Sequence, residues 1–359
     1  MAIGYPSATN MYVPNHAASQ SLVVGFSRSP NTFRVSDYTQ YVNAKKMQGL
    51  YYVWASRQAA RILTSDDAEH DWWDGEAAPT GTNNLEGGQW QQFLTRRKAY
   101  PFTMGNLTVK QADFPILAAE SAVCAQQCMT ARTLLVQNSL TNASWGGNTA
   151  DVTTIANSGA WNAGSVGYGT GVNGPFIKTS LQYGSKIVHQ QTLGVVTPSM
   201  LTLVVNPAVA QAMAASTEIQ DYIKQSPFAL AQLRGDVPNQ NGKWDLPSML
   251  YGHPVAVEDC VRVTSRKGAA TDVLSYVLGG TIPGNGDGIA YLIARQGELE
   301  GIEGTRSYST VQIFFYADEM TVYSKYDSDN ERYLGRVVSN FVPVTVTTLA
   351  GFRFTKVLG

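Results

Sequence analysis

The stretch "KQADFPILAAESAVCAQQCMTARTLLVQNSLTN" (110–142) constrains this chain more than any other. Phe114, Leu117, Ser121, Cys124, Cys128, Ala131 and Leu135 recur at steps of three and four, the spacing that puts side chains on one face of an α-helix. Many of these side chains are small, so the pattern predicts a long helix with a neighbour packed close against it. Cys124 and Cys128, one turn apart, could hold a soft metal if two further ligands came from elsewhere. Inside a small-residue stripe, core packing is the better reading. With Cys260 the cysteine count is three, which is no disulfide framework and fits a reducing compartment.

Around this helix the sequence divides into stretches of different character. Residues 1 to about 40 mix Pro6, Pro14 and Pro30 with Asn, Ser and scattered aromatics, and read as an extended arm. "LYYVWASRQAARIL" (50–63) and "WQQFLTRRKAYPFTMGNLTV" (90–109) read as strand-rich flanks of about 26 residues of acidic, Gly-rich chain. The reading is a two-stranded projection with a soft tip. Arg96, Arg97 and Lys98, the densest basic run, fall on its returning arm, where they could meet acidic residues of another copy or nucleic acid.

After the helix comes an uncharged loop region (143–174) and a second helix, with Pro175 near its first turn. A buried strand is expected at 200–205, then an Asn206-Pro207 turn and one helix over 208–225. Another strand follows around Gly252-His253-Pro254, and the C-terminal part is strand-like. There "DSDNER" is a hairpin turn with an Asx contact, and "FVPVTVTTLAGFRFTKVL" is an alternating close. The fold class is α+β, with helices and strands segregated.

The acidic stretch 66–76 invites a chemical reading. Asp66, Asp67, Glu69, Asp71, Asp74 and Glu76 surround His70, Trp72 and Trp73, and clustered carboxylates could act as acid and base or grip a metal. A catalytic site needs a rigid supporting shell, however, and this stretch continues into "GEAAPTGTNNLEGG". "DSDNERY" lacks the glycine and distal Glu of an EF-hand, and "GGTIPGNGDG" lacks the Gly-Lys-Ser/Thr ending of a phosphate loop. No catalytic, cofactor or metal site is assigned, and the chain is not read as an enzyme.

Charge points to assembly instead. Only 15% of residues are Asp, Glu, Lys or Arg, against roughly 25% in typical globular chains. A chain that covers much of its outside with copies of itself can dispense with surface charge. The net charge of −1 excludes a dedicated nucleic-acid binder, and no stretch has the roughly 20 apolar residues of a membrane span.

The order of these parts resembles the major capsid proteins of tailed bacteriophages, whose fold is named after phage Hong Kong 97. The resemblance rests on the arm, the acidic projection, the helix near "QADFPILAAESAV", the phrase "LVVNPAVAQAMAASTEIQDYIKQS…LYGHPVAVEDCV", and the closing "GFRFTKVL". It implies an N-terminal arm (1–49), an extended loop (50–108), a peripheral domain with a spine helix (109–195), an axial domain (196–309) and closing peripheral strands (310–359). It further implies hexamers and pentamers in an icosahedral shell around double-stranded DNA touched weakly and nonspecifically. Assembly in a host bacterial cytoplasm, possible scaffolding, portal and decoration partners, and no cofactor are also implied. Some members cross-link covalently through a Lys-Asn bond. Lys98 or Lys110 with Asn330 or Asn340 would be the actors here, and noncovalent locking is the expectation.

Inter-subunit contact is expected at Trp72, Trp73 and Trp90, because buried aromatics dominate interface energetics, and at Arg96, Arg97 and Lys98. Two alternatives stay open. One is an encapsulin-like compartment enclosing protein cargo; the other is a soluble hydrolase or metal-binding enzyme using the acidic loop.

Overall fold

The computed structural model describes residues 32–53, 89–112, 115–162, 176–225, 227, 244, 246–266, 268–281, 288–295, 309–317 and 319–358. A single turn, α1 (Val35–Tyr38), leads into β1 (Gln40–Ala44) and β2 (Gln48–Val53). Then come β3 (Gln89–Leu94), β4 (Arg96–Gly105), α2 (Asn106–Gln111) and the long α3 (Ile116–Asn142). β5 (Thr149–Asp151), α4 (Phe176–Gln191), β6 (Leu201–Val205), α5 (Pro207–Ala215) and α6 (Thr217–Gln225) follow. The remaining strands are β7 (Met249–Leu250), β8 (His253–Val257), β9 (Val261–Val263), β10 (Leu274–Tyr276), β11 (Gly280–Thr281) and β12 (Ile289–Ala294). β13 (Val311–Tyr316), β14 (Thr321–Asp327), β15 (Arg332–Thr345) and β16 (Gly351–Thr355) close the chain.

The centre is a six-stranded sheet in the order β5-β16-β12-β6-β8-β7, with β6 parallel to β8 and β5 parallel to β16. Strand periodicity sends alternate side chains to opposite faces, and here both faces are covered. Leu201, Leu203, Val205, Leu292, Phe352 and Phe354 pack with Leu181 and Val188 of α4 and Met213 of α5. Val204, Ala256, Tyr291 and Ile293 pack on the other side with Met129, Val136 and Leu140 of α3. Burial on two faces is why β6 is a continuous apolar run rather than an alternating one. Gly184 lets α4 lie close, since a Cβ there would sit 2.7 Å from Phe354 Cζ.

The expected helix at 110–142 is two helices. Lys110 and Gln111 end α2, with Ala112 extended after them, and the long helix starts immediately after Pro115. Its 27 residues span about 40 Å at ~1.5 Å per residue. The buried face carries Cys124, Cys128, Met129, Arg132, Val136 and Leu140, while Leu117, Ala131 and Leu135 are only partly covered and Phe114 lies outside the described residues. Burial pushes both thiols, Cys124 and Cys128, above their ordinary range, as the core reading requires.

The second sheet runs β1-β13-β15-β14, with β4 on the other side of β15. This corrects the placement of the basic run. Arg96, Arg97 and Lys98 lie in a ten-residue antiparallel ladder with β15, facing Phe341, Asn340 and Ser339, and not on the returning arm of the projection. β2 and β3 alone form the two-stranded ribbon. The closing segment also divides. Its first part is the end of β15, whereas β16 crosses to the central sheet and pairs with β12 and β5.

Local chemistry sets other boundaries. Asn206 caps α5, its Oδ1 accepting from Val209 N–H at 2.7 Å with Pro207 at the first helical position. The expected single helix over 208–225 breaks at Ser216, whose hydroxyl accepts from Ile219 N–H at 3.4 Å and starts α6. The "DSDNER" turn is a hairpin between β14 and β15, shaped by Asn330 Nδ2 donating to Asp327 Oδ2 at 2.9 Å.

Candidate inter-subunit surfaces

The β2–β3 ribbon has two unlike faces. On the inner one Phe93 stacks on Phe314 of β13 with centroids 4.4 Å apart and rings 8° from parallel, and Tyr51 lies 5.5 Å from the same ring. Gly49 allows this, because a Cβ there would sit 2.8 Å from Phe93. Thr95 pins the ribbon where it turns into β4, its N–H and hydroxyl both donating to Met47 O at 2.8 and 2.9 Å. The outer face carries Leu50, Tyr52, Trp90 and Leu94, exposed by 62, 40, 67 and 49%. In register, Tyr52 lies opposite Trp90, and their rings meet edge to face at 5.0 Å. Grouped on one exposed face, these apolar residues make the outer side of the ribbon a candidate interaction surface.

Beside the ribbon runs a groove of about 910 Å³. Its walls are Leu94, Arg96 and Lys98 on one side and Leu135, Asn138 and Asn142 of α3 on the other, with 341–348 as its floor. The floor has an open main-chain edge. Val346 N–H donates to Thr310 O at 3.0 Å, so alternation turns Val342, Val344 and Val346 toward β13. Pro343 and Thr345 therefore turn away, past the end of β4. Proline, which has no N–H to offer, is the residue expected on such an edge.

Of the expected contact residues, Trp90 thus lies on the exposed ribbon face, and Trp72 and Trp73, with the candidate ligands His70, Asp66, Asp71 and Asp74, lie outside the described residues. Arg96 and Lys98 share the helix-facing side of β4 with Tyr100 and Phe102, and Arg97 takes the opposite side. None of the three forms an ion pair among the described residues. Lys98 faces Ser339, Asn340 faces Arg97, and Asn330 is engaged with Asp327.

Sequence reasoning passed over several buried polar residues that hold the fold behind these surfaces. Arg132 of α3 is fully buried, ion-paired to Glu319, with its guanidinium 4.7 Å from the Phe315 ring centroid and 5.4 Å from that of Phe341. Its one signal is position, four residues after Cys128 on the apolar stripe. Glu218 receives Ile177 N–H and Lys178 N–H at 2.9 and 2.8 Å, capping α4 from another helix, a pairing with no local signature. Buried Glu258 accepts from Tyr38 O–H at 2.8 Å and ties α1 to the core; burial pushes the Tyr38 phenol well up. His253 is also buried, with Nδ1 3.2 Å from Leu201 O and Nε2 3.1 Å from Ser185 Oγ, and burial holds it below its ordinary value. Among the described residues no group of three or more His, Cys, Asp or Glu is placed to hold a metal, and no helix is long and apolar enough to cross a membrane.

A long helix packed between two sheets, with a two-stranded ribbon lying on Phe314 of the second sheet, defines the class of architecture, and comparison with solved structures gives it a name. A structure from Mycobacterium phage Che8 matches with a TM-score of 0.53 at 12% identity, covering 98% of this chain and 99% of that one. The capsid of the cyanophage P-SCSP1u matches with 0.53 at 7% identity over 96 and 93%. The mature capsid of bacteriophage PhiM1 matches with 0.50 at 11% identity over 98 and 94%. The chain has the Hong Kong 97-like fold. No protein-family model and no curated protein matches the sequence.

Proposed function

We propose that this chain is a major capsid protein, copies of which assemble into the icosahedral head of a tailed phage around double-stranded DNA. The observation that carries this reading is the end-to-end correspondence with capsid subunits, over more than nine-tenths of both partners. The exposed apolar face of the ribbon supports it, since a subunit in a shell has neighbours to cover such a face. The role is structural rather than catalytic, and the particle is its location. The extended loop, expected over 50–108, reaches an adjacent subunit, with Trp72, Trp73 and Trp90 anchoring it there. Many modest contacts of this kind let misplaced subunits leave before the shell locks.

Sedimentation and negative-stain microscopy of the expressed chain test the reading. Closed shells are expected, with nuclease-protected DNA inside particles from infected cells. A chain that stays monomeric at high concentration would refute it, and shells holding protein cargo in place of DNA would make it a compartment protein.

A further inference from the structure

The groove beside the ribbon holds positive charge with no ion-pair partner among the described residues. Among the described residues Arg96 and Lys98 line it, no Asp or Glu does, and neither cation forms an ion pair. At the far end of the same two strands the sign reverses. Turn 328–331 joins β14 to β15, and its Asp329 and Glu331 are exposed and form no ion pair among the described residues. Asp327, just before it, accepts from Asn330 Nδ2 at 2.9 Å and Arg332 Nε at 3.0 Å, so the turn is held in one shape. Docking a preorganised turn costs less ordering than docking a loose one.

Strand geometry keeps the two apart within one chain. Arg332 faces Gly105 and Phe341 faces Arg96, so the length of the ladder, about 30 Å at ~3.3 Å per residue, separates the turn from the basic end of the groove. We propose that turn 328–331 of one copy docks in the groove of a second copy, setting Asp329 and Glu331 against Arg96 and Lys98. A four-residue turn fits a groove of about 910 Å³, and the open edge at Pro343 and Thr345 offers it main-chain acceptors and a donor. The contact joins unlike surfaces, so each copy keeps a free turn and a free groove. Such contacts grow into rings or arrays rather than stopping at dimers. Opposite charges here set register and encounter rate more than affinity. The inference rests on the shell reading and adds to it one specific contact.

The test is a charge swap in the full chain, read by sedimentation of assembled against free subunits. Asp329→Lys with Glu331→Lys, and separately Arg96→Glu with Lys98→Glu, are each expected to raise the concentration needed for assembly by about tenfold or more. All four substitutions together are expected to return it to within about threefold of the parent. Circular dichroism of the free subunits shows whether each variant folds. If a reversal misfolds, carbodiimide cross-linking of mixed light and heavy-isotope parent chains decides instead, with Lys98 joined to Asp329 or Glu331 across isotopes expected. Parent shells indifferent to either reversal, no recovery in the combined variant, or cross-links found only within one chain would overturn this contact and leave the shell reading standing. A groove reversal that fails only when nucleic acid is present, with the turn reversal assembling normally, would assign the groove to a polyanion and overturn it equally. A parent chain that never assembles would sink both.

Discussion

Truncating Trp90 to alanine separates folding from assembly with one substitution. Trp90 is 67% exposed, and among the described residues its ring contact is the edge of Tyr52. A tryptophan offers about 250 Å² of surface, which leaves roughly 170 Å² for a neighbour to cover. At ~25 cal/mol per Å², full coverage is worth about 4 kcal/mol, and coverage of half of it about 2 kcal/mol. The second figure corresponds to roughly a thirtyfold change in an equilibrium constant. The free subunit should lose little, under ~1 kcal/mol, because an exposed cross-strand pair contributes on that scale.

The assay is therefore double. Urea denaturation of the unassembled subunit is expected to give a midpoint close to the parent's, while the concentration at which half the chains enter shells rises between about ten- and thirtyfold. Trp90→Phe, which keeps an aromatic face, is expected to fall between the two. Unchanged assembly with unchanged stability would show that no neighbour covers the outer ribbon face. A large loss of subunit stability would show that Trp90 holds its own chain together, contrary to its exposure.

Three further outcomes follow from the buried side chains. Arg132→Ala empties a fully buried site against Phe315 and Phe341 and should cost about 3 kcal/mol or more in denaturant unfolding. Arg132→Met should cost at least ~1 kcal/mol less, because it refills the space and removes a guanidinium whose Nε has no partner. Gly335→Ala would place a Cβ 2.0 Å from Phe102 Cζ and should cost roughly 2–3 kcal/mol. Adding Phe102→Leu should make the pair less harmful than the sum of the two changes, a coupling that a double-mutant cycle reads directly. His253 is held below its ordinary 6.5, so as pH falls past that value the unfolded chain takes up a proton before the folded one does. Stability from this site is complete above about pH 6.5 and declines as pH falls toward the folded-state value. His253→Asn, which retains a donor for Leu201 O, should flatten the fall in urea midpoint between pH 7.5 and 5 while lowering the midpoint at 7.5.

What the sequence made legible was chemistry that acts within a few residues. Asn206-Pro207 announces a helix start because the cap and the helix it caps are adjacent, and the run at 201–205 announces burial on both faces. Pro115 carried the true boundary of the long helix, but the three-and-four spacing runs straight across it and hides the break. Partners far apart in the chain left no such mark. β4 reads like a continuation of β3, and nothing local says that it pairs with β15 some 235 residues later while β3 pairs with β2. Glu218 capping α4 and Arg132 meeting Glu319 are of the same kind. The contact surfaces are harder still, because an apolar residue reads the same whether its cover is its own chain or another. Leu50 and Tyr51 are neighbours in sequence and equally apolar in pattern, yet Tyr51 packs on Phe314 and Leu50 faces outward. Only the scarcity of charge, 15% of residues, hinted that some of this surface is meant to be covered. That global signal locates nothing by itself. Joined to the ribbon's alternation it selects one face, and on that face Leu50, Tyr52, Trp90 and Leu94 are the exposed apolar residues that the proposed shell contact would bury.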